Sequence, residues 1–225
     1  METKWVCKNC GELNINEDIK INGFDQSIVK NNLGIDHIFP VCIKCNSSIE
    51  LHCDDYGIKN VFLLNGTCGS GKTTISKYLN QKDDKYLIID GDRVIEILKY
   101  KMGIKYKYNI DELYSEILSQ IIIGIALGKI IIINYIFSVI DYNKFKEKVI
   151  KKNIKPKMII LKPDMEIAYK RTQERTGFAN KTEKKWVEYF DKMMDEYKNT
   201  NEKIIDNGNL TIEETIKIIE KEINE

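Results

Sequence analysis

The sequence has almost no net charge and no uninterrupted apolar stretch long enough to cross a membrane. Its 225 residues carry 35 basic and 34 acidic side chains, so the charge balance gives no sign of a nucleic-acid or membrane surface. The most apolar region, residues 121–137, is interrupted by Gly124, Gly128, Lys129 and Asn134, which indicates a helix end followed by a strand. The first residues show no signal core and no transit-peptide pattern. We therefore expect a soluble cytoplasmic protein with no membrane partner.

Arginine is scarce. Arg93, Arg171 and Arg175 are the three arginines among the 35 basic residues, so lysine provides the general solubility of the chain. The planar guanidinium group binds phosphate through two parallel hydrogen bonds, which an ammonium group cannot do. Each arginine is therefore a candidate for binding an anionic substrate.

Cysteine is concentrated at the start of the chain, where five of the six cysteines fall in the first quarter. Two C-x-x-C pairs in short turns supply four thiolates, which is the ligand set of a structural zinc site, and a reducing cytoplasm favours metal binding over disulfides. Residues 1–57 therefore resemble a zinc ribbon that binds Zn²⁺ through Cys7, Cys10, Cys42 and Cys45.

The alternatives for this segment are a redox or incidental C-x-x-C pair, and His52 or Cys53 as competing zinc ligands. Residues 1–57 hold five lysines against nine acidic residues. A nucleic-acid-binding ribbon is usually basic. We therefore favour a structural module or a protein-contact module, with a nucleic acid as the less favoured partner.

A glycine-rich phosphate-binding loop follows the apolar run Val61–Asn65. Residues 66–73 match G-x-x-x-x-G-K-[ST], and a helical pattern follows directly, which is the context that this motif requires. Glycines let backbone N–H groups surround phosphate oxygens, while Lys72 adds charge and the Thr73 hydroxyl is a Mg²⁺ ligand. The alternative is a strand-to-helix turn that is glycine-rich by chance. The motif predicts binding of ATP with Mg²⁺ through Gly66, Thr67, Cys68, Gly69, Ser70, Gly71, Lys72, Thr73 and Thr74.

Short apolar runs alternate with helical patterns from residue 58 to residue 225. This alternation predicts an α/β fold with a doubly wound, parallel, five-stranded sheet. The predicted strands are Val61–Asn65, Tyr86–Asp90, Ile130–Asn134, Lys157–Leu161 and Lys203–Asp206. The predicted helices cover residues 71–80, 92–101, 111–127, 141–152, 164–176, 181–199 and 211–223.

Ligands bind such sheets at the carboxyl ends of the strands, and Asp90-Gly91-Asp92-Arg93 follows the second strand there. One carboxylate, for which we favour Asp90, is expected to hold the Mg²⁺ water shell, while the other accepts a proton from a substrate hydroxyl. The sequence alone allows the two roles to be exchanged. Arg93 is a candidate clamp for an anionic group. The alternative is an ordinary helix start, with Asp92 as the N-cap.

The ends of the other strands complete the predicted site. Asn134 stands after the third strand, where an ATPase motor carries an acid, which favours a small kinase. Arg171 and Arg175 lie four residues apart before Gly177, so we expect them on one helix face beside a lid that closes over ATP. Ordinary ion pairs on a solvated helix are the alternative. Asn207 is expected to contact the adenine or ribose.

These motifs together resemble the P-loop kinases of the shikimate, adenylylsulfate, gluconate and polynucleotide kinase type, across residues 59–223. The resemblance implies ATP as phosphoryl donor, with Lys72, Asp90, Asp92, Arg93, Arg171 and Arg175 as catalytic candidates. The Asp90-Gly91-Asp92 element is most similar to adenylylsulfate kinase, but Ile95 stands where that family has arginine. Asn134-Tyr135-Ile136 replaces the glycine triplet of shikimate kinases. The pocket of no single member is reproduced.

Three functions fit the sequence. The first is an ATP-dependent phosphotransferase that acts on a hydroxyl of a small-molecule acceptor. The second is a polynucleotide or tRNA-directed kinase guided by the zinc ribbon, and the acidity of residues 1–57 disfavours it. The third is an ATP-dependent switch or assembly factor that binds a protein through the ribbon. The acid pair Asp90 and Asp92 favours the kinases.

Overall fold

The amino-terminal segment contributes four short strands. The computed structural model describes residues 3–6, 10, 13–16, 29–30, 36–37, 44, 60–102, 109–152, 154–175 and 181–224. Strands β1 (Thr3–Val6) and β2 (Leu13–Asn16) pair antiparallel, as do β3 (Val29–Lys30) and β4 (Asp36–His37).

The predicted zinc site lies in this segment. Cys10 falls in the connection between β1 and β2, whereas Cys7, Cys42 and Cys45 lie outside the described residues. Within the described ranges no cluster of three or more His, Cys, Asp or Glu side chains that could hold a metal is found. The zinc ribbon therefore stays a prediction.

Five parallel strands form the main sheet, as predicted. They are β5 (Val61–Gly66), β6 (Tyr86–Asp90), β7 (Ile130–Asn134), β8 (Lys157–Leu161) and β9 (Lys203–Ile205). Their spatial order is β6-β7-β5-β8-β9, with every neighbouring pair parallel. Strand β5 is central, so the loop that follows it lies in the middle of the carboxyl edge of the sheet.

Helices cover both faces of this sheet. They are α1 (Lys72–Lys82), α2 (Gly91–Met102), α3 (Ile110–Ala126), α4 (Val139–Ile150), α5 (Met165–Gln173), α6 (Lys184–Asp195) and α7 (Ile212–Asn224), with a 3₁₀ turn at Glu196–Asn199. Among the described residues no helix is long and apolar enough to span a bilayer.

Two buried cores explain why the strands are apolar on both sides. In β5, Val61 and Leu63 join one core, and Phe62 and Leu64 join the other. This alternation follows from the two-residue period of a strand. The first core includes Leu113, Ile117, Phe137 and Phe145, and the second includes Ile75, Leu79, Ile216 and Ile219.

Two helix boundaries differ from the prediction in ways that affect the site. Helix α2 begins at Gly91, directly after β6, because Asp90 caps it from the last position of the strand. Helix α5 ends at Gln173 with Glu174 as its C-cap. Arg175 therefore lies beyond the helix, and the prediction that Arg171 and Arg175 share one helix face is wrong.

Candidate active site

The loop between β5 and α1 has the backbone shape of a phosphate cradle. Gly69 and Gly71 adopt left-handed conformations, with φ of 81° and 98°, which side chains disfavour. A Cβ at Gly69 would also collide with the carbonyl oxygen of Ala168 in α5, so the loop and that helix are in close contact. Because Gly71 has no side chain to cap α1, backbone N–H groups at the helix start remain available for an anion.

Three side chains anchor the loop to neighbouring elements. The Asn65 Oδ1 atom accepts hydrogen bonds from the backbone N–H groups of Gly66 (2.8 Å) and Phe137 (3.1 Å). The Thr67 hydroxyl donates to the carbonyl of Val187 in α6 at 3.2 Å. Asn207 donates to the Ser70 carbonyl at 2.9 Å, so this predicted nucleotide contact also braces the loop.

Lys72 folds back over the loop. Its ammonium group donates to the carbonyls of Gly66 (2.7 Å) and Thr67 (3.0 Å). The pKa of Lys72 is lowered to about 8, chiefly because burial removes hydration; the charge of Arg175 acts in the same direction, while Cys68 and Asp92 act in the opposite direction. A phosphate group in the cradle would favour the charged form of Lys72.

Asp90 connects three parts of the site. Its Oδ1 atom accepts from the backbone N–H groups of Asp92 (3.1 Å) and Arg93 (3.3 Å), which makes Asp90, and not Asp92, the cap of α2. Its Oδ2 atom accepts from the Asn134 amide at 3.0 Å. The same amide nitrogen lies 3.5 Å from the Thr73 hydroxyl. Asn134 therefore joins the second-strand acid to the predicted Mg²⁺ ligand of the loop.

Asp92 occupies the first turn of α2, where it lines the cleft in front of the loop. The side chain reaches solvent, but the surrounding protein limits its hydration, and this raises the pKa of Asp92 above the usual range. The nearby charge of Asp90 raises the pKa further, whereas Lys72 lowers it. Such a carboxylate is suited to taking up a proton.

The three arginines have different surroundings. Arg93 forms an exposed ion pair with Glu96 in α2 (2.6 Å), and it is absent from the described lining of the cleft. Arg171 lines the cleft, and its Nη2 atom donates to the carbonyls of Asn207 and Gly208, both at 3.0 Å. Arg175 also lines the cleft. Gly177, the predicted lid hinge, lies outside the described residues.

The cleft has a volume of about 830 Å³, which suits a nucleotide with a small second substrate. Its lining includes residues that the sequence motifs do not identify as ligands. Tyr135 and Ile136 follow β7, and their signal in the sequence was their place after a strand. The other unpredicted lining residues come from α1 (Ile75 and Lys77), from the C-cap of α5 (Glu174) and from the segment that leads into α7 (Leu210, Thr211, Ile212 and Thr215).

The residues present fit a nucleoside triphosphate with Mg²⁺. The described lining carries four cations, Lys72, Lys77, Arg171 and Arg175, against two carboxylates, Asp92 and Glu174, so its charge complements a polyphosphate. Ser70 Oγ, inside the loop, is buried without a hydrogen-bond partner. Thr73 and Asp90 offer the oxygen ligands, direct or through water, that Mg²⁺ prefers.

Comparisons with known proteins support this fold. A family model described as an AAA domain matches residues 63–192, more than half of the chain, whereas no curated protein matches. The chain is similar in structure to a tunicamycin resistance protein of Deinococcus radiodurans (TM-score 0.57, 12% identity, 73% of this chain and 95% of that chain).

Two solved sugar-related kinases give similar values. A sugar kinase of Janibacter sp. has a TM-score of 0.55 at 14% identity, over 74% of this chain and 95% of that chain. A gluconokinase of Sinorhizobium meliloti has a TM-score of 0.51 at 15% identity, over 73% of this chain and 91% of that chain. At these identities the likeness shows the P-loop kinase fold alone.

Proposed function

The chain belongs to the AAA domain family, and from this membership and the geometry of the cleft we propose an ATP-dependent phosphotransferase. It moves the γ-phosphoryl group of MgATP to a hydroxyl of a small-molecule acceptor. The observation that carries the proposal is the position of Asp92, a carboxylate that lines the same cleft as Lys72 and the phosphate loop. A protein that only binds nucleotide has no need of a proton acceptor at this place.

The phosphates of ATP, the phosphoryl donor, bind at the middle of the carboxyl edge of the sheet. Backbone N–H groups of the loop surround the phosphates, and Lys72 exchanges its carbonyl contacts for the β- and γ-phosphate oxygens. Arg171 and Arg175 approach from the α5 side of the cleft. Their positive charge stabilises the negative charge that develops on the transferred phosphoryl group in the transition state. Asn207 and the start of α7, which line the cleft, would contact the nucleoside part of ATP.

Thr73 and Asp90 are the residues that would hold Mg²⁺, directly or through water. When bound, the ion supplies positive charge next to the β- and γ-phosphates. Thr73 would contribute its hydroxyl oxygen, and Asp90 would contribute its carboxylate through the water molecules bound to the ion. Asn134 keeps these two side chains in register through its amide group, which contacts both.

Asp92 acts as the general base for the acceptor. The acceptor hydroxyl gives its proton to the Asp92 carboxylate as its oxygen forms a bond to the γ-phosphorus. The bond between that phosphorus and the bridging oxygen breaks, and ADP leaves with the electron pair. Asp92 then releases the proton to water. Of the two acids, Asp92 is assigned this role because it lines the cleft, whereas both oxygens of Asp90 are already engaged.

The test separates a transferase from a nucleotide switch. Acceptor-dependent release of ADP is measured with sugars, nucleosides and 5′-hydroxyl oligonucleotides, alongside MgATP affinity. Lys72→Ala is expected to weaken binding and to abolish turnover. Asp92→Asn is expected to keep ATP affinity within about threefold and to slow transfer by on the order of 10²–10⁴.

The control is Asp111→Asn, an exposed acid in the first turn of α3, which is expected to change neither quantity. Wild-type transfer rates in both Asp92→Asn and Asp90→Asn would contradict the kinase proposal. The nucleotide-switch function would then take its place. Transfer to the oligonucleotides alone would favour the polynucleotide kinase.

A further inference from the structure

The side of the cleft next to Asp92 has a fixed aromatic wall. A Cβ at Gly91 would collide with the ring of Tyr135, whose Cγ and Cβ atoms would lie 2.6 and 2.9 Å away. The Tyr135 ring also packs against Phe137, with 5.1 Å between the ring centroids and an edge-to-face arrangement. Tyr135 is thus packed against both Gly91 and the core residue Phe137. Both it and Ile136 line the cleft.

Charge is distributed unevenly across the cleft. Among the described lining residues, the cations come from α1 (Lys72 and Lys77) and from α5 and its end (Arg171 and Arg175). The residues that follow β6 and β7 on the other side are Asp92, Asn134, Tyr135 and Ile136. Among the described residues that line the cleft, this side contributes one carboxylate and no cation. A negatively charged acceptor would meet repulsion from Asp92, with Asp90 behind it.

We propose that the acceptor is a neutral alcohol that carries a flat or apolar ring, and that Tyr135 is the surface on which this ring lies. The acceptor hydroxyl then points to Asp92, which lines the same cleft and follows Gly91, the residue that packs against Tyr135. This inference rests on the proposed function and narrows it, because it excludes acceptors with a carboxylate or phosphate near the reacting hydroxyl.

The recognition follows from the composition of the wall. A tyrosine ring provides a large apolar face and loses little entropy when it is already packed. Ile136 extends the apolar surface beside it. Specificity against charged analogues comes from the acids, since the two neighbouring carboxylates of Asp90 and Asp92 disfavour a further negative charge beside them.

The experiment uses matched neutral and charged ligands on the full chain with a non-hydrolysable MgATP analogue bound. Suitable pairs are phenyl β-glucoside with phenyl β-glucuronide, and uridine with uridine 5′-carboxylate. Calorimetry or ligand-observed NMR gives each dissociation constant. In at least one pair the neutral member is expected to bind tenfold or more tightly than its acid.

Variants of Tyr135 test the wall itself. Tyr135→Ala is expected to weaken the affinity for the neutral ligand by on the order of tenfold, the usual scale for a lost stacking surface. Tyr135→Phe is expected to keep this affinity within about threefold of the wild type. The matched control is Tyr100→Ala in α2, whose side chain is 90% exposed. Binding of the MgATP analogue confirms that each variant is folded.

Three results would overturn the inference. They are equal or tighter binding of the charged members, no neutral member binding below roughly 10 mM, and unchanged binding in a folded Tyr135→Ala protein. If Tyr135→Ala does not fold, the affinities of the wild-type protein for the neutral and charged ligand pairs still test the inference. Failure of the proposed function gives a different result, because the MgATP analogue would not bind, or Asp92→Asn and Asp90→Asn would both retain the wild-type rate of transfer.

Discussion

Substitution of Asp90 is expected to lower stability, whereas substitution of Asp92 is expected to lower activity. Asp90→Ala removes the cap of α2, which costs about 1 kcal/mol. It also leaves the Asn134 amide, which is 5% exposed, without its closest acceptor, which costs about 1–3 kcal/mol. The expected loss in the free energy of unfolding is therefore about 2–4 kcal/mol. For a chain of this size the Tm should fall by roughly 5–15 °C.

Asp92→Ala should leave the free energy of unfolding within about 0.5 kcal/mol of the wild type. Its side chain is exposed and caps no helix, and its removal relieves repulsion with Asp90. The loss of activity should be larger in Asp92→Ala than in Asp90→Ala, since Asp92 is the proposed proton acceptor. Asp111→Ala in the first turn of α3 is the matched control for loss of an acid at a helix start.

Urea unfolding measures this contrast. In a Trp5→Phe background the fluorescence of Trp186 in α6 reports on the α/β domain alone. The reasoning is refuted if Asp92→Ala is destabilised as strongly as Asp90→Ala. Asp92 would then have the structural role, and the division of the two acids between cap and base would be wrong.

The cleft and the amino-terminal cysteines lead to three further predictions. The pKa of Lys72 is lowered to about 8 in the free protein, and bound phosphate raises it. Calorimetry at pH 9 should therefore show that the protein takes up a proton when MgATP binds. No proton uptake is expected at pH 6.5 or in the Lys72→Arg variant. Gly91→Ala should displace the Tyr135 ring, reduce kcat at least tenfold and lower the free energy of unfolding by about 1–3 kcal/mol. The control Gly128→Ala, at a glycine with open space around it, should retain activity. An equal kcat in the two variants would contradict the contact between Gly91 and Tyr135. Metal analysis should find one zinc per chain, and chelation should unfold residues 1–57 but not the α/β domain; zinc retained after Cys42→Ser with Cys45→Ser would refute the ligand set Cys7, Cys10, Cys42 and Cys45.

The sheet was predictable because its signal is local. Strands buried between two helix layers must be apolar on both sides, and β6, β7 and β8 match the predicted bounds residue for residue. The phosphate loop was predictable for a related reason, since its backbone needs glycine at fixed positions within eight residues. The start of α7 is equally local, since Thr211 and Glu214, three residues apart, form a capping box through reciprocal hydrogen bonds of 3.1 and 2.8 Å.

Contacts between separate strands were not predictable in this way. Asn134 was noted as a missing acid, but its amide joins Asp90 to Thr73, which are 44 and 61 residues away in sequence. A neutral amide gives no chemical signal until its neighbours are known. The same holds for Tyr135, whose close packing is the reason that residue 91 must be glycine. The role of Arg93 stays a prediction, because scarcity in composition does not determine which way a side chain points, and Arg93 forms an exposed ion pair with Glu96.

The different roles proposed for Asp90 and Asp92 arise from the junction between β6 and α2. Asp90 is the last residue of a strand, and the parallel register sets it beside Asn134. The chain becomes helical at the very next residue, so Asp92 lies in the first helical turn and no longer alternates across the sheet. One glycine thus separates a carboxylate that is held by three donors from one that lines the cleft. A single inserted residue at this junction would move Asp92 by about 100° around the helix axis, and the carboxylate would leave the acceptor side even though both acids were still present.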